Sequence, residues 1–337
     1  MPRGRELGRG ERVIPRLWRL RLPLPLPGVP HCNAWALAAG DGLVLVDTGM
    51  HEPGSMVEFE RACAMVGLSV DDIRLVVCTH AHIDHWGQAA TICDRTGCEM
   101  WMHPYHEHGF AAATDPEAAV ARRVEIGRQS GVPEEALARY AERARELPSG
   151  IARVIEPNRA LVDGVTIETD LGEWRVVETP GHAPSHVCLF QPERRLVISG
   201  DHLLGRISLY FDYGWTPDPI GEFLASLDRV DRLDARLALS GHGKPFIDVR
   251  GHIEANRRLV SERLGAVLAA VSEGPRTALE VAPIVHGEPV TETRVGWVLQ
   301  ETLCYLRHLE LSGRVARLSE NGIERWVGEL SDSRTKP

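Results

Sequence analysis

Short apolar runs punctuate the first 250 residues, and each ends on a small or hydroxyl residue followed by a polar one. Residues 43–46 precede Asp47-Thr48-Gly49, 75–78 precede Thr79-His80, and 174–178 precede Thr179-Pro180-Gly181-His182. Residues 196–199 lead into Gly200-Asp201, and 237–240 into Gly241-His242. Runs this short, rich in Val, Leu and Ile and bounded by Gly and Pro, predict buried strands. Each delivers a polar residue at a strand end, where sheet-based folds place ligands and catalytic groups. Helical spacing over 58–67 and 87–97 alternates with the strands and predicts a layered α/β architecture.

Residues 116–147 carry a different pattern. Two amphipathic stretches open on Pro116 and Pro133, each suited to the first turn of a helix. They predict a helical insertion at about 104–150, as a surface elaboration or a lid over a site. After Pro245 the pattern turns mainly helical, with helices expected at 251–271, 278–285 and 293–311. A hairpin is expected over 314–319 and 324–328 around Asn321-Gly322. Three helices followed by a two-stranded wing describe a winged helix-turn-helix, so the chain divides into 22–248 and 249–330.

Composition adds little to this division. The 337 residues are 43% hydrophobic and 25% charged, enough for a sizeable core. The early apolar stretch 17–29 is broken by Arg19, Arg21 and several prolines, which argues against a signal peptide or a membrane span. A soluble, cytoplasmic protein is expected. Seven cysteines, an odd number without a CxxC pair, predict free thiols.

Charge is distributed unevenly. Residues 1–21 hold seven arginines against Glu6 and Glu11, a net of +5. The whole chain carries −9, so the rest carries −14. The terminus predicts a basic, solvated arm. The acidic body disfavours polyanions and points to a small-molecule substrate.

The strongest chemical signal is Thr79-His80-Ala81-His82-Ile83-Asp84-His85-Trp86-Gly87. Four metal-competent side chains fall within six residues directly after a strand. Imidazole and carboxylate suit zinc, iron or manganese. Alternation sends His80 and His82 to one side of an extended segment, and a turn at Ile83–Asp84 can bring Asp84 and His85 round to a second ion. Four adjacent titratable groups have little reason to be buried together without a cation. His182, Asp201 and His242 stand at strand ends, where a lone His or Asp is usually a cap; only the HxHxDH run draws them into the same set.

Val46-Asp47-Thr48-Gly49, the run at 80–85, Gly181-His182, Gly200-Asp201 and Gly241-His242 resemble, in order, the five motifs of the metallo-β-lactamase superfamily. The resemblance covers roughly 22–248 and implies an αββα sandwich with a two-metal site along one edge. It implies that His80, His82 and His182 hold one ion, that Asp84, His85 and His242 hold the other, and that Asp201 bridges them. Asp47 would not ligate; it would accept hydrogen bonds that hold the HxHxDH loop, and His186 would sit behind the ligands. A water on such ions has a pKa lowered to roughly 7, giving hydroxide near neutrality. Asp84 could also orient that nucleophile or shuttle a proton.

The stretch from Ser199 through Arg206 to Ser208, the stretch from Asp218, and the C-terminal pattern resemble metallo-hydrolases with an appended winged-helix domain, some of which cleave single-stranded RNA. Residues 250–330 hold ten arginines and eleven glutamates without a basic stripe. Packing or dimerisation is therefore expected of them, not nucleic-acid binding. Arg206, Tyr210, Trp215 and Lys244 are candidate substrate contacts. The leading expectation is a dinuclear zinc hydrolase of a small ester, thioester or similar acyl substrate, with iron or manganese as alternative metals. A single-strand-specific endoribonuclease, a non-catalytic binding or sensor protein, and an iron-dependent sulfur dioxygenase are the competing readings.

Overall fold

The five predicted strands fall into two sheets. A computed structural model describes residues 7–26, 28–287, 289 and 294–329. The first sheet has seven strands in sequential order: Arg9–Ile14, Leu17–Leu26, Val29–Ala39, Gly42–Val46, Ile73–Val77, Glu99–Met102 and Arg159–Ala160. The first four run antiparallel, and from Gly42–Val46 onward the neighbours are parallel. The second sheet has the order Leu237–Ser240, Leu196–Gly200, Val187–Gln191, Gly172–Glu178, Thr166–Thr169.

Three apolar layers hold the sandwich together. Between the sheets, Leu17, Trp35, Val44 and Val77 pack against Val187, Leu189, Ile198 and Leu239. The outer face of the first sheet is covered by the helices Ser55–Ala64 and Ala89–Thr96, through Phe59, Ala62 and Ile92. The outer face of the second sheet presents Cys188, Phe190, Val197 and Ala238 to the helix Pro219–Asp231 and to the C-terminal helices. The layers are helix, sheet, sheet, helix, in agreement with the expected αββα order.

The expected basic arm is corrected by the structure. Residues 1–6 lie outside the described residues, but Arg9–Ile14 and Leu17–Leu26 are paired strands. Leu20, Leu22 and Leu24 alternate into the core beneath the helix Ser55–Ala64. Arg19, counted as solvated charge, is buried and makes an ion pair with Glu11 at 2.8 Å. Its Nε donates to Asn33 Oδ1 at 2.8 Å, and its guanidinium also donates to the carbonyl of Gly243.

The insertion comprises three helices where the pattern predicts two. Pro116–Gln129 starts on Asp115, whose side chain accepts from Ala118 N, and Glu134–Glu146 follows Pro133. The unpredicted helix is Glu107–Thr114. At the C-terminal end, Val249–Ser272, Ala278–His286 and Val295–Leu311 precede an antiparallel hairpin of Val315–Glu320 and Ile323–Gly328. Asp248 caps the first of these helices, and a Thr277–Glu280 capping box starts the second. This region shares one apolar cluster with the second sheet: Val249, Ile253, Leu303, Tyr305, Leu306 and Trp326 join Phe223 and Leu227. No helix among the described residues is long and apolar enough to cross a membrane.

Candidate metal centre

The strand Ile73–Val77 ends two residues before Thr79, and Asp47 captures the chain there. Asp47 Oδ1 accepts from Thr79 N at 2.8 Å, and Oδ2 accepts from Thr79 Oγ1 at 2.9 Å. Oδ2 also lies 2.8 Å from His85 Nδ1, so His85 donates from Nδ1 and turns Nε2 inward. Asp47 achieves this with a left-handed backbone, φ 63°, which Asp tolerates better than most residues. Asp47 thus stands behind His85, at the base of the HxHxDH loop.

Two sets of donors converge beyond this loop. In the first, His82 Nδ1 lies 3.0 Å from both His80 Nε2 and His182 Nε2. In the second, Asp84 Oδ2 lies 3.2 Å from His242 Nε2 and 3.6 Å from His85 Nε2. Asp201 stands between them. Its Oδ2 is 3.1 Å from His242 Nε2 and 3.8 Å from His182 Nε2, and its Oδ1 is 3.6 Å from His85 Nε2. All seven residues expected at the site are therefore brought together.

The donor set fits cations. His85 Nε2 and Asp201 Oδ1 are buried and have no hydrogen-bond partner, a costly state for polar atoms unless something between them is bound. Ring nitrogens about 2.0–2.1 Å from a zinc ion lie roughly 3.3 Å apart in a tetrahedron, close to the spacing seen here. His80, His82 and His182 could hold one ion, and Asp84, His85 and His242 a second. Gly241 makes room: a Cβ there would come within 2.1 Å of Asp201 Oδ1 and 2.8 Å of His85 Cε1.

Electrostatics sort the imidazoles one by one: burial opposes protonation of His82, but Asp212 outweighs it and raises the group. Burial, then the neighbouring imidazoles, push His80 well below the usual histidine range, and burial brings His182 down to about 4. Both therefore offer free lone pairs at neutral pH. Burial opposes protonation of His242 as well, but Asp201 and Asp84 outweigh it and raise the group to about 10. An ion entering the second set must displace that proton, so affinity there falls as pH falls.

His186 lies behind Asp201, as expected: its Nε2 accepts from Asp201 N at 3.1 Å and His202 N at 3.2 Å. The expected substrate contacts divide. Tyr210 stands with its ring centroid 5.6 Å from that of His82 and 5.7 Å from that of His182. Trp215 is one ring further out, 6.2 Å from His108, with the Arg122 guanidinium 4.1 Å above it. Arg206 and Lys244 are exposed, and neither hydrogen-bonds to a member of the cluster. Three contributors were not legible in the sequence. Asp212 and His108 hydrogen-bond behind His82, and Trp297, 44% exposed, stands 6.4 Å from the Tyr210 ring.

The N-terminal strands support the second set. His242 Nδ1 donates to the carbonyl of His31 at 2.8 Å. Asn33, fully buried, donates from Nδ2 to Ser240 O at 2.7 Å and Gly243 O at 3.0 Å, on either side of that histidine. Asn33→Ala leaves these carbonyls and the Arg19 guanidinium short of partners. It should cost about 3 kcal/mol in a urea melt and weaken one ion of a metal titration more than the other. Unchanged stability and binding would show that the loop holds itself.

Residues 27–242 match the metallo-β-lactamase superfamily, and the chain belongs to that superfamily. It is a metallo-hydrolase. It is similar to the probable metallo-hydrolase YqjP of Bacillus subtilis, 27% identical over 283 residues, with 81% of this chain and 86% of that protein covered. It is also similar to an atrochrysone carboxyl ACP thioesterase of Aspergillus chevalieri, 27% identical over 51% of this chain and 57% of that protein. Among solved structures, a metallo-β-lactamase family protein from Thermus thermophilus superposes with a TM-score of 0.80 at 28% identity, covering 94% of this chain and 100% of the other. A β-lactamase domain protein from Burkholderia ambifaria gives 0.76 at 27% identity, with 95% and 93% covered.

Proposed function

We propose that this chain is a dinuclear metal-dependent hydrolase of a small ester, thioester or similar acyl compound. The observation that carries the reading is the convergence of His80, His82, His182, Asp84, His85, His242 and Asp201 on two adjoining sets of donors, with Asp201 spanning both. When bound, the ions supply a Lewis acid and a water acidic enough to react near neutral pH. Zinc suits the nitrogen and oxygen donors; iron and manganese accept the same set. Asp84, beside His242, would orient the attacking water or carry its proton to the leaving group.

Support for an acyl substrate comes from the walls and the charge. Tyr210 and Trp297 stack aromatic surface outward from His82 and His182, and the chain carries −9 overall, which repels a polyanion. The thioesterase name of one relative, at 27% identity, supports the same class. The C-terminal helices and hairpin follow the order of a winged helix, and their burial against the second sheet supports a packing role over nucleic-acid reading. The test is a panel of thioesters, lactones, phosphodiesters and single-stranded RNA, run on chelated protein reloaded with zinc, iron or manganese. Hydrolysis of an acyl compound should exceed the chelated protein by roughly 1000-fold, the several kcal/mol that such ions contribute. Cleavage of RNA with every acyl compound inert would overturn the acyl reading.

A further inference from the structure

His82 belongs to the strongest motif in the sequence, and in the fold it is held by residues far from that motif. Its Nε2 lies 2.8 Å from Asp212 Oδ2. A carboxylate only accepts, so the imidazole carries its proton on Nε2 and directs the Nδ1 lone pair at His80 and His182. Asp212 Oδ2 also accepts from His108 Nδ1 at 3.0 Å, and its Oδ1 accepts from the Tyr210 hydroxyl at 3.1 Å. With Nδ1 donating, His108 Nε2 receives the Ser185 hydroxyl at 2.8 Å. Ser185 Oγ in turn accepts from Ala81 N at 3.0 Å. Ala81 precedes His82, so the hydrogen bonds form a closed ring: Ala81, Ser185, His108, Asp212, His82. The two bonds onto Asp212 and the one from Ala81 N are fixed in direction, because a carboxylate only accepts and a backbone N–H only donates.

The ring is clamped from two sides. Gly109, next to His108 on Glu107–Thr114, lies against the HxHxDH loop so closely that a Cβ there would stand 1.9 Å from the carbonyl of Ala81. On the other side the Tyr210 carbonyl accepts from His182 Nδ1 at 3.0 Å, and Asp212 N donates to His182 O at 3.3 Å. One three-residue segment, Tyr210 to Asp212, therefore orients two of the three nitrogens of the first set. The first helix of the insertion is part of the centre's frame, not a cover hinged above it.

We infer that Asp212 is a positioning residue for the first ion, acting through His82 and braced by His108 and Ser185. The inference rests on the dinuclear reading above, and its test separates the two. Full-length chelated protein is titrated with Co²⁺ under competition with a chromophoric chelator, following the visible cobalt bands, for wild type, Asp212→Ala, Asp212→Asn and Ser185→Ala. Asp212→Ala should weaken the first ion about 10–100-fold and shift its bands, while the second ion stays within about threefold. Asp212→Asn keeps an acceptor oxygen and should recover most of the loss. Ser185→Ala, further round the ring, should weaken the first ion less than Asp212→Ala does. If Asp212→Ala does not fold by near-UV circular dichroism, the other two variants decide. Wild-type affinity and bands in Asp212→Ala, or in both remaining variants if it is unfolded, would overturn the positioning role and leave the dinuclear reading intact. Wild type that binds no cobalt would overturn both. A third ion bound by wild type and lost in Asp212→Ala would show that His82, His108 and Asp212 form a metal site of their own, which also overturns the role.

Discussion

Asp201→Ala is expected to strip both ions and to lower kcat/KM by roughly 1000-fold or more. Asp201 is placed against both donor sets, 3.1 Å from His242 and 3.8 Å from His182. Its removal leaves two cations facing each other across a buried space with one fewer negative charge. Asp84→Asn should behave differently. It touches only the second set, so the ion among His80, His82 and His182 should bind nearly as in wild type while turnover falls. Equilibrium dialysis with elemental analysis, alongside rates on the best acyl substrate, distinguishes the two variants. Two retained ions and a normal rate in Asp201→Ala would remove the bridging role.

The contrast between what the chain announces and what it conceals has a physical basis. Residues such as Asp47, His80 and Asp201 follow short apolar runs in which the strand, the turn and the polar residue are contiguous, so one window holds the whole signal. Arg19 and Asp212 lack such a window. Arg19 is surrounded in the sequence by six other arginines and counts as solvated charge, yet its partners Asn33 and Gly243 lie 14 and 224 residues away. The alternation Leu20, Leu22, Leu24 was present in the sequence, but the interrupting prolines and charges outweighed it. Asp212 is 130 residues from His82, and His108 is 77 from Ser185. Only the packing of the insertion against the loop makes them neighbours. The helix Glu107–Thr114 is hidden for a related reason: at eight residues it is too short to show a helical period, and Gly109 lets it close against Ala81.

Removal of the C-terminal region is the second large effect. A chain ending at residue 248 loses Ile253, Val260, Leu303, Tyr305, Leu306 and Trp326, and exposes Phe223, Leu227 and Val230 on the helix Pro219–Asp231. Deleting a single large buried side chain costs about 2–5 kcal/mol, and a domain's whole stability is of order 5–15 kcal/mol. The truncated chain should therefore aggregate or lose cooperative unfolding. Capping adds to this, since Asp218, which caps that helix, also lies 2.9 Å from His308 Nδ1. Size-exclusion chromatography and a urea melt are the measurements. A monodisperse truncated chain with a cooperative transition would show that 249–330 folds apart from the sandwich.

If seven side chains hold two ions, anomalous scattering from crystals of unchelated protein should show two peaks. One lies among His80 Nε2, His82 Nδ1 and His182 Nε2, the other among Asp84, His85 Nε2 and His242 Nε2, with Asp201 between them. A fully loaded protein with a single peak, and His242 turned away from it, would contradict the account.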